Sequence, residues 1–503
     1  MRCHRLNRAG LGGLQALQAR YVEHTAGPEY TDSLAALLQR FPEDVDAAVL
    51  FAEALLMRSP WNYYDADGSL KGGAAKARDL LESALRSAPH HPLALHLLVH
   101  LTEPDTPGTA NRAVSAGRGA ARGELAADQL VHAVPDAAHL VHMSSHTFIR
   151  VGRYHDAYVA NVRANEVDRR YEAACLKPYL PEHNLQLGAY AASMAGESEA
   201  AAELAMAMRN LRTAMPRSVK HLSEYPTHVL VRVRFAQWQK VLEGGSPGHD
   251  VRGPEFARAV WEFGKIMKHA ASADAELDAA KREWLRAEMA PEGVTDTVAN
   301  GTLGPVVSTG HWTMRKGRWT MWSGMDPGSQ LLAQARAFFA RAKEVPLDTP
   351  TRPGPGNGLY SPHHRVIIEI LCHVVDARLW LLTRDELSAE EGLRKAVALE
   401  DSLPYMEPPF MHQPVRQCLG LVLLAAGRLA DAERVYLEDL DEHPNNGWSL
   451  IGLLQIQQRR QSLHTSEEVL KDLRQFDRVF DQAWSHGDLR LTSSCPSFDK
   501  SEY

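Results

Sequence analysis

The feature of this chain that most limits its fold is the recurrence of alanine and leucine at helical spacing along almost the whole sequence. Apolar residues that return every three to four positions form one face of an α-helix, whereas residues in a strand alternate between two faces. Alternating runs of β-branched residues are scarce in this sequence. The pattern therefore predicts a mostly or wholly α-helical fold.

Pairs of such helical segments recur, joined by short turns. Examples are SLAALLQRFPEDVDAAVLFAEALL, LLESALRSAPHHPLALHLLVHL, HTFIRVGRYHDAYVANVRANEVD and GAYAASMAGESEAAAELAMAMR. Pro42, Pro89 and Pro444 stand where a helix must stop, because proline lacks the amide that an interior helical position needs. A chain of 503 residues built in this way grows by stacking units and not by enlarging one core.

A later unit, CLGLVLLAAGRLADAERVYLEDLDEHPNNGWSLIGLL, resembles the tetratricopeptide repeat. The residues that match its pattern are Leu419, Gly420, Leu423, Gly427, Ala432, Tyr436 and Pro444. In that pattern, small residues let neighbouring helices approach and a proline ends the repeat. The resemblance implies an all-α fold, a curved α-solenoid of helix-turn-helix repeats.

Most of the chain also resembles a large bacterial-type tetratricopeptide family that carries HxxxHxxE and HxxHMxSH segments. The matching segments are HPLALHLLVHLTE, HLVHMSSHTFIRVGRYHDA, EHNLQL and LPYMEPPFMHQPVRQCLG. Ser144 stands where that family usually has proline, and Gln186 where a second histidine often follows. Members usually begin with further repeats, so the resemblance implies an incomplete N-terminus, and it implies a scaffold without a particular reaction.

The helical pattern breaks once, between residues 286 and 360. This stretch is rich in Gly, Pro, Thr and Trp and contains one helical segment, QLLAQARAFFARAKE. We therefore predict N-terminal repeats over residues 1–285, a long irregular insertion over 286–360, and C-terminal repeats over 361–503.

Composition narrows the classes of partner. The net charge is −7 and no dense Lys/Arg block occurs, so no electrostatic feature favours nucleic acid. No apolar run approaches the roughly 20 residues of a spanning helix, and the first residues lack a secretory apolar core. We expect a soluble protein, cytoplasmic by default. The five cysteines show no CxxC spacing, which argues against a thiolate zinc site or a disulfide framework.

Two helical segments each place three metal-capable side chains on one face. The first segment, ALHLLVHLTE, carries His96, His100 and Glu103, and the second, AHLVHMSSH, carries His139, His142 and His146. At 3.6 residues per turn, each triplet falls within about 60° of the helix circumference. Inner helices of stacked repeats lie side by side, so we expect the two stripes to face one another.

Imidazole nitrogens with a carboxylate indicate a divalent transition metal, with copper, iron and zinc all open and the number of ions undetermined. An ion would satisfy several buried polar groups at once, each of which costs about 1–3 kcal/mol when unpaired. Two other interpretations stay open, a structural hydrogen-bond network and an acid–base or anion pocket. Glu103 is predicted as a ligand or a catalytic base, and Tyr154 as a catalytic redox or positioning group.

Two further segments supply candidate substrate-binding residues. In PYMEPPFMHQPVR the prolines fix a loop that enters a helix, and this loop would hold Glu407, His412 and Arg416 near the same surface. An arginine there suits a carboxylate or phosphate group. His183 follows Pro181 at the start of a helix. The alternatives are a Glu407–Arg416 salt bridge and a capping role for His183.

These observations lead to two functional hypotheses. The first is a metal-dependent enzyme on a tetratricopeptide scaffold, oxidative or hydrolytic, which acts on a small-molecule substrate. The second is a protein- or peptide-binding adaptor, a common use of such scaffolds, in which the histidines are structural. The histidine stripes favour the enzyme, because peptide-binding surfaces of these scaffolds rely on Asn, Lys, Arg and small side chains.

Overall fold

A computed structural model shows that the chain is a helical protein, as the sequence predicts. The described residues are 27–65, 68–103, 112–214, 227–243, 254–288, 311–315, 318–322, 364–403, 406–463 and 467–499. They contain seventeen helices and one pair of short strands. None of these helices combines the length and the hydropathy that crossing a bilayer requires.

Eleven helices precede the strands in the described part of the chain. They are α1 (Pro28–Arg40), α2 (Val45–Met57), α3 (Gly72–Ser87), α4 (Pro92–Thr102), α5 (Arg112–Ala133), α6 (Ala138–Arg150), α7 (Tyr154–Ala173), α8 (Pro181–Ala195), α9 (Ser198–Ala214), α10 (Thr227–Arg234) and α11 (Pro254–Glu288). The predicted turns at Pro42 and Pro89 separate α1 from α2 and α3 from α4.

Six helices follow the strands. They are α12 (His364–Leu382), α13 (Glu386–Asp401), α14 (Val415–Ala425), α15 (Leu429–Glu442), α16 (Gly447–Leu463) and α17 (Glu467–Ala483). Pro444 lies between α15 and α16, at the predicted end of a repeat.

Consecutive helices pack against each other, and alternate helices also meet. Contacts join α2 to α4, α4 to α6, α6 to α8 and α8 to α10, so these helices form an inner row. The intervening helices α3, α5, α7 and α9 each bridge two members of that row. This is the packing of a helical solenoid. It places α4 and α6, the helices with the predicted stripes, side by side.

Small residues allow the close approaches that the sequence predicts. Tyr436 of α15 is fully buried, and a Cβ at either Gly420 or Gly452 would overlap its ring. The hydroxyls of Tyr436 and Ser494 lie 2.7 Å apart and share a hydrogen bond. Gly427 ends α14 with a φ of +76°, a conformation that glycine adopts without steric cost.

The C-terminal helices pack back onto the N-terminal row through α8. Trp448 of α16 is fully buried in the cluster formed with Leu185, Ala189 and Ala192 of α8. Its indole Nε1 donates a hydrogen bond to the Ser193 carbonyl at 3.2 Å. This contact brings the C-terminal helices, with the loop that precedes α14, against the inner row.

Two findings differ from the sequence-based predictions: the insertion contains strands, and residues on both sides of it share one apolar cluster. The predicted irregular insertion contains two antiparallel paired strands, β1 (His311–Arg315) and β2 (Arg318–Trp322), whose Trp and Thr content suits strands. The helix predicted for QLLAQARAFFARAKE lies outside the described residues. Helix α11 packs against α12, so one apolar cluster spans residues on both sides of the insertion. The three-part division stays a prediction.

The cysteine spacing argues against a disulfide framework, but the described residues contain one disulfide. Cys418 of α14 and Cys495 of the C-terminal segment form a buried disulfide with a Cα–Cα distance of 4.9 Å. The two residues are 77 positions apart. Spacing in the sequence could not reveal the pair, because it depends on the C-terminal segment folding back onto α14.

Candidate metal centre

Helix α4 carries the first histidine pair. It begins at Pro92, and the Ala94 amide donates to Nδ1 of the N-cap residue His91 at 3.2 Å. This start places His96 and His100 one turn apart, on the side that faces α6. Glu103 directly follows the last helical residue, and its side chain is 1% exposed.

Helix α6 carries the second stripe. Its residues from 141 to 148 are all buried, because α6 lies in the inner row between α4 and α8. His142 is 0% and His146 is 3% exposed, whereas His139 is partly exposed. The predicted convergence of the two stripes is confirmed: the ring centroids of His96 and His139 are 5.2 Å apart.

Two residues from other elements complete the cluster. His183 lies in the first turn of α8, and its ring centroid is 4.7 Å from that of His142. Glu407 comes from the loop before α14, and its Oε2 is 3.2 Å from His146 Nδ1. Both were predicted as substrate-binding residues, and the structure places both among the histidines.

The cluster contains three groups whose ligand atoms all lie within 4.8 Å of one another. These groups are His96 with His100 and His139, His142 with His146 and His183, and Glu103 with His146 and Glu407. Groups of this size and composition could hold a metal ion. Every predicted metal ligand belongs to at least one of them.

His146 makes the most contacts in the cluster. Its Nδ1 faces Glu103 Oε2 at 3.1 Å and Glu407 Oε2 at 3.2 Å. Its Nε2 lies 3.0 Å from His142 Nε2. Burial lowers the pKa of His146, but the two carboxylates outweigh it and raise the pKa to about 10.

Most of the other histidines are neutral at pH 7. Burial, reinforced by neighbouring histidines, lowers the pKa of His96 to about 2, of His139 to about 4 and of His183 to about 3. Burial also holds the pKa of His142 well below its ordinary value. These neutral imidazoles keep the lone pairs that a metal ion requires, whereas His146 would release a proton on binding one.

Glu103 is surrounded by donors. Its Oε1 accepts hydrogen bonds from His100 Nδ1 at 2.8 Å and from Trp61 Nε1 at 3.2 Å. Burial raises the pKa of Glu103, but His100 and His146 outweigh it and lower the pKa. A carboxylate with a lowered pKa is a weak base, so this environment favours holding histidines over accepting a substrate proton.

Asn161 of α7 fixes the orientation of His142. Its Nδ2 donates to the Ala157 carbonyl at 2.8 Å, which leaves Oδ1 to accept from His142 Nδ1 at 2.7 Å. The proton on Nδ1 leaves the Nε2 lone pair directed at His146. Such outer hydrogen bonds set the tautomer and the ring orientation of metal-binding histidines.

Several buried polar atoms of the cluster have no hydrogen-bond partner among the described residues. They are His96 Nε2, His146 Nδ1, His183 Nδ1, Glu103 Oε2 and Glu407 Oε1. Native structures leave few buried polar atoms unpaired, and an ion is one explanation for those that remain. The residues present therefore fit a divalent metal.

The other predicted residues lie in different surroundings. Tyr154 packs with Tyr190 and Met194, and its hydroxyl has no hydrogen-bond partner among the described residues. His412 is 5.6 Å from the Tyr190 ring, and burial lowers its pKa to about 3. Arg416 pairs with both carboxylate oxygens of Asp401, at 2.6 and 2.7 Å. The structure does not bring these three side chains to the histidine groups.

Sequence reasoning missed three residues beside the cluster. These are Asn161, Trp61 and Tyr179, whose ring lies 5.0 Å from that of His139. Trp61 has a φ of 58°, an uncommon conformation for a bulky residue, and its indole is 6.2 Å from the His100 ring. No spacing in the sequence marks these residues, because each reaches the site from a different element.

Comparisons with known proteins do not identify the function of this chain, so a functional assignment depends on the geometry of the cluster. No protein-family model matches the chain, and no curated protein matches it. Among solved structures, a chain from "Structure of Naa15/Naa10 bound to HypK-THB" matches 96% of this chain and 77% of its own length, at 12% identity and a TM-score of 0.20. A likeness this low carries no argument about function.

Proposed function

We propose that this protein is a metal-dependent enzyme in which the His/Glu cluster holds a divalent transition metal. The observation that carries the proposal is the convergence of six imidazoles from α4, α6 and α8, three successive helices of the inner row, with two buried or partly buried glutamates beside them. A bound ion would supply Lewis-acid or redox chemistry. Copper, iron and zinc all suit imidazole ligands.

A purely structural network explains the cluster less well. A structural network pairs each buried nitrogen with a donor or an acceptor, since an unpaired polar atom costs about 1–3 kcal/mol. In the described part of the chain, His96 Nε2 and His183 Nδ1 are buried without such a partner. Neutral imidazoles packed ring to ring gain little from one another, whereas an ion would use their lone pairs.

The accessible side of the cluster is the one where a small-molecule substrate would bind. His96, His100 and His139 are partly exposed, unlike His142 and His146. Beside this side stand Trp61, which is 43% exposed, and Tyr179, which is 61% exposed. Their rings would contact a substrate that reaches the ion, and they would restrict the approach of water.

In this proposal the residues of the segment from Glu407 to Arg416 divide their roles. Glu407 contacts His146 in the His/Glu cluster. The ion pair of Arg416 with Asp401 anchors α14, the helix that follows the Glu407 loop. Helix α14 is also held by the Val415 amide, which donates to Glu400 Oε2 at 3.0 Å. We therefore propose that Arg416 positions Glu407. This role replaces the substrate contact that was predicted for Arg416.

We infer that the scaffold is of the tetratricopeptide type. The packing of the Tyr436 ring against Gly420 and Gly452 supports this inference, because that pattern uses small residues at helix crossings. Such scaffolds also serve as adaptors, so a protein partner on another face is the alternative function. In an adaptor the histidines would be structural, and removing metal would leave partner binding unchanged.

The proposal is tested by the metal content of protein purified without a histidine tag. We expect a divalent transition metal, and we expect the chelator-stripped protein to melt lower and to recover when the ion is returned. Dioxygen uptake with a phenol and hydrolysis of p-nitrophenyl acetate then probe the two reaction classes. A wild type that neither retains nor takes up metal would end the proposal, and bound metal without turnover of either probe would favour a structural ion.

An Asn161→Ala variant is expected to bind metal about 10–100-fold more weakly, because His142 loses the acceptor that fixes its tautomer. Competition with a chelator of known affinity measures the change. Asn446→Ala is the matched control, since Asn446 is equally buried but hydrogen-bonds to Asp439. Equal losses of metal affinity in the two variants would show that the effect is one of general destabilisation.

A further inference from the structure

We propose that the cluster holds two metal ions, each bound by three imidazoles, with the glutamates outside the ligand shells. The outer position is formed by His96, His100 and His139. The inner position is formed by His142, His146 and His183. This inference rests on the proposed metal dependence. It adds the number of ions and the three histidines that bind each one.

The rings divide into two sets by distance. Within the outer set, the ring centroids of His96 lie 4.6 Å from His100 and 5.2 Å from His139. Within the inner set, those of His142 lie 4.8 Å from His146 and 4.7 Å from His183.

The distances between the sets are longer. The separations are 6.2 Å between the His139 and His142 rings and 6.5 Å between those of His100 and His146. Among the described residues, the six histidines fall into two non-overlapping groups of potential ligands, and within each group the ligand atoms lie within 4.8 Å of one another.

Hydrogen bonds at Nδ1 select Nε2 as the metal-binding atom in two of the rings. His142 Nδ1 is hydrogen-bonded to Asn161, and His100 Nδ1 to Glu103. His146 Nδ1 lies at ion-pair distance from both glutamates. The Nε2 atoms of His142 and His146 point at each other from 3.0 Å. Two nitrogens on one tetrahedral ion would be about 3.3 Å apart at ordinary bond lengths.

Glu103 then accepts the proton on the far side of the His100 ring, and Glu407 forms an ion pair with His146. Oε1 of Glu103 already accepts from His100 and Trp61, so it has little capacity left for an ion. An imidazole whose second nitrogen donates to a carboxylate is a more basic ligand, and its ring orientation is fixed. Glu103 serves a histidine of each set, which couples the two positions.

The two positions differ in access. The inner histidines are 0%, 3% and 9% exposed, whereas the outer ones are partly exposed beside Trp61 and Tyr179. Helix α6 contributes His139 to the outer set and His142 to the inner set, three residues and about 4.5 Å of rise apart. The two ions would therefore lie side by side, with the outer one facing the substrate.

The experiment is a copper(II) titration of the full-length, untagged and chelator-stripped protein, with bound metal counted after dialysis. We expect two ions per chain in the wild type and one in either His139→Ala or His183→Ala. The double variant should bind none. The exposed residue His90 supplies the control variant His90→Ala, which should bind two. Circular dichroism of each stripped variant identifies any that fail to fold, and for such a variant His139→Gln or His183→Gln replaces the alanine.

Electron paramagnetic resonance gives a second readout. Two neighbouring copper(II) ions should couple, so the doubly loaded wild type should show less signal per ion than the single-site variants. One ion per chain in the wild type would overturn the two-site assignment and leave metal dependence intact, whereas no bound ion would end both. A Glu407→Gln variant that loses an ion while both histidine variants keep two would place that ion in the Glu103–His146–Glu407 group, contrary to the inference.

Discussion

A His142→Ala variant is expected to bind divalent metal more than about a hundredfold more weakly than the wild type. Both nitrogens of His142 are used, Nδ1 by Asn161 and Nε2 toward His146, and the ring is fully buried. Loss of a ligand should exceed the 10–100-fold loss that follows the removal of an outer hydrogen bond. Isothermal titration with a competing chelator measures the change.

The exposed residue His90 again supplies the comparison, since His90→Ala removes an imidazole that lies outside the cluster. Its metal affinity should equal that of the wild type. If His142→Ala retains wild-type affinity while stripped samples of both variants remain folded, the inner imidazoles are not ligands and the proposed centre is wrong.

An Asp274→Ala variant is expected to lower the free energy of unfolding by about 3–5 kcal/mol. Asp274 of α11 is 2% exposed, and its carboxylate is 2.5 Å from Arg378 of α12, which is 0% exposed. Arg378 Nε also donates to the Ser497 carbonyl at 3.0 Å. Without Asp274 the buried guanidinium has no ion-pair partner among the described residues, which costs more than the pair contributes. Urea unfolding at 25 °C measures the loss.

Two controls separate this explanation from the simple removal of atoms. The substitution Glu391→Ala, which removes the exposed ion pair with Lys395, should leave the free energy of unfolding nearly unchanged, because water screens that pair. The double variant Asp274→Leu/Arg378→Met should recover much of the loss, since it leaves no buried charge. A double variant less stable than Asp274→Ala would contradict the argument from desolvation.

Helical periodicity made the fold predictable in outline. Apolar spacing identified the helices around Pro42, Pro89 and Pro444, and the glycine–tyrosine pattern anticipated the buried ring of Tyr436. The strand pair of β1 and β2 was not predicted because each strand is only five residues long and lies within a stretch without helical spacing. The Cys418–Cys495 disulfide was not predicted from the sequence because it depends on tertiary contacts.

The candidate site was predictable only where its residues share a helix. Spacing placed His96 with His100 on one face and the three histidines of α6 on another, and the structure brings the faces together. Spacing could not tell that α6 divides its histidines between two groups, because that depends on which neighbouring helix each ring meets. Glu407 approaches from about 260 residues further along the chain than His146, a distance that no local pattern spans.

The inner row also bears on how such a chain can change in evolution. Stacked repeats are ordinarily gained or lost one at a time, because each unit touches only its neighbours. In this protein α4, α6 and α8 belong to consecutive units and each contributes rings to the same cluster. A duplication or deletion between them would leave a foldable array but separate the donors. If the cluster holds metal as proposed, the number and order of these central units are constrained by the need to keep the donors together, whereas repeats at the periphery are free to vary.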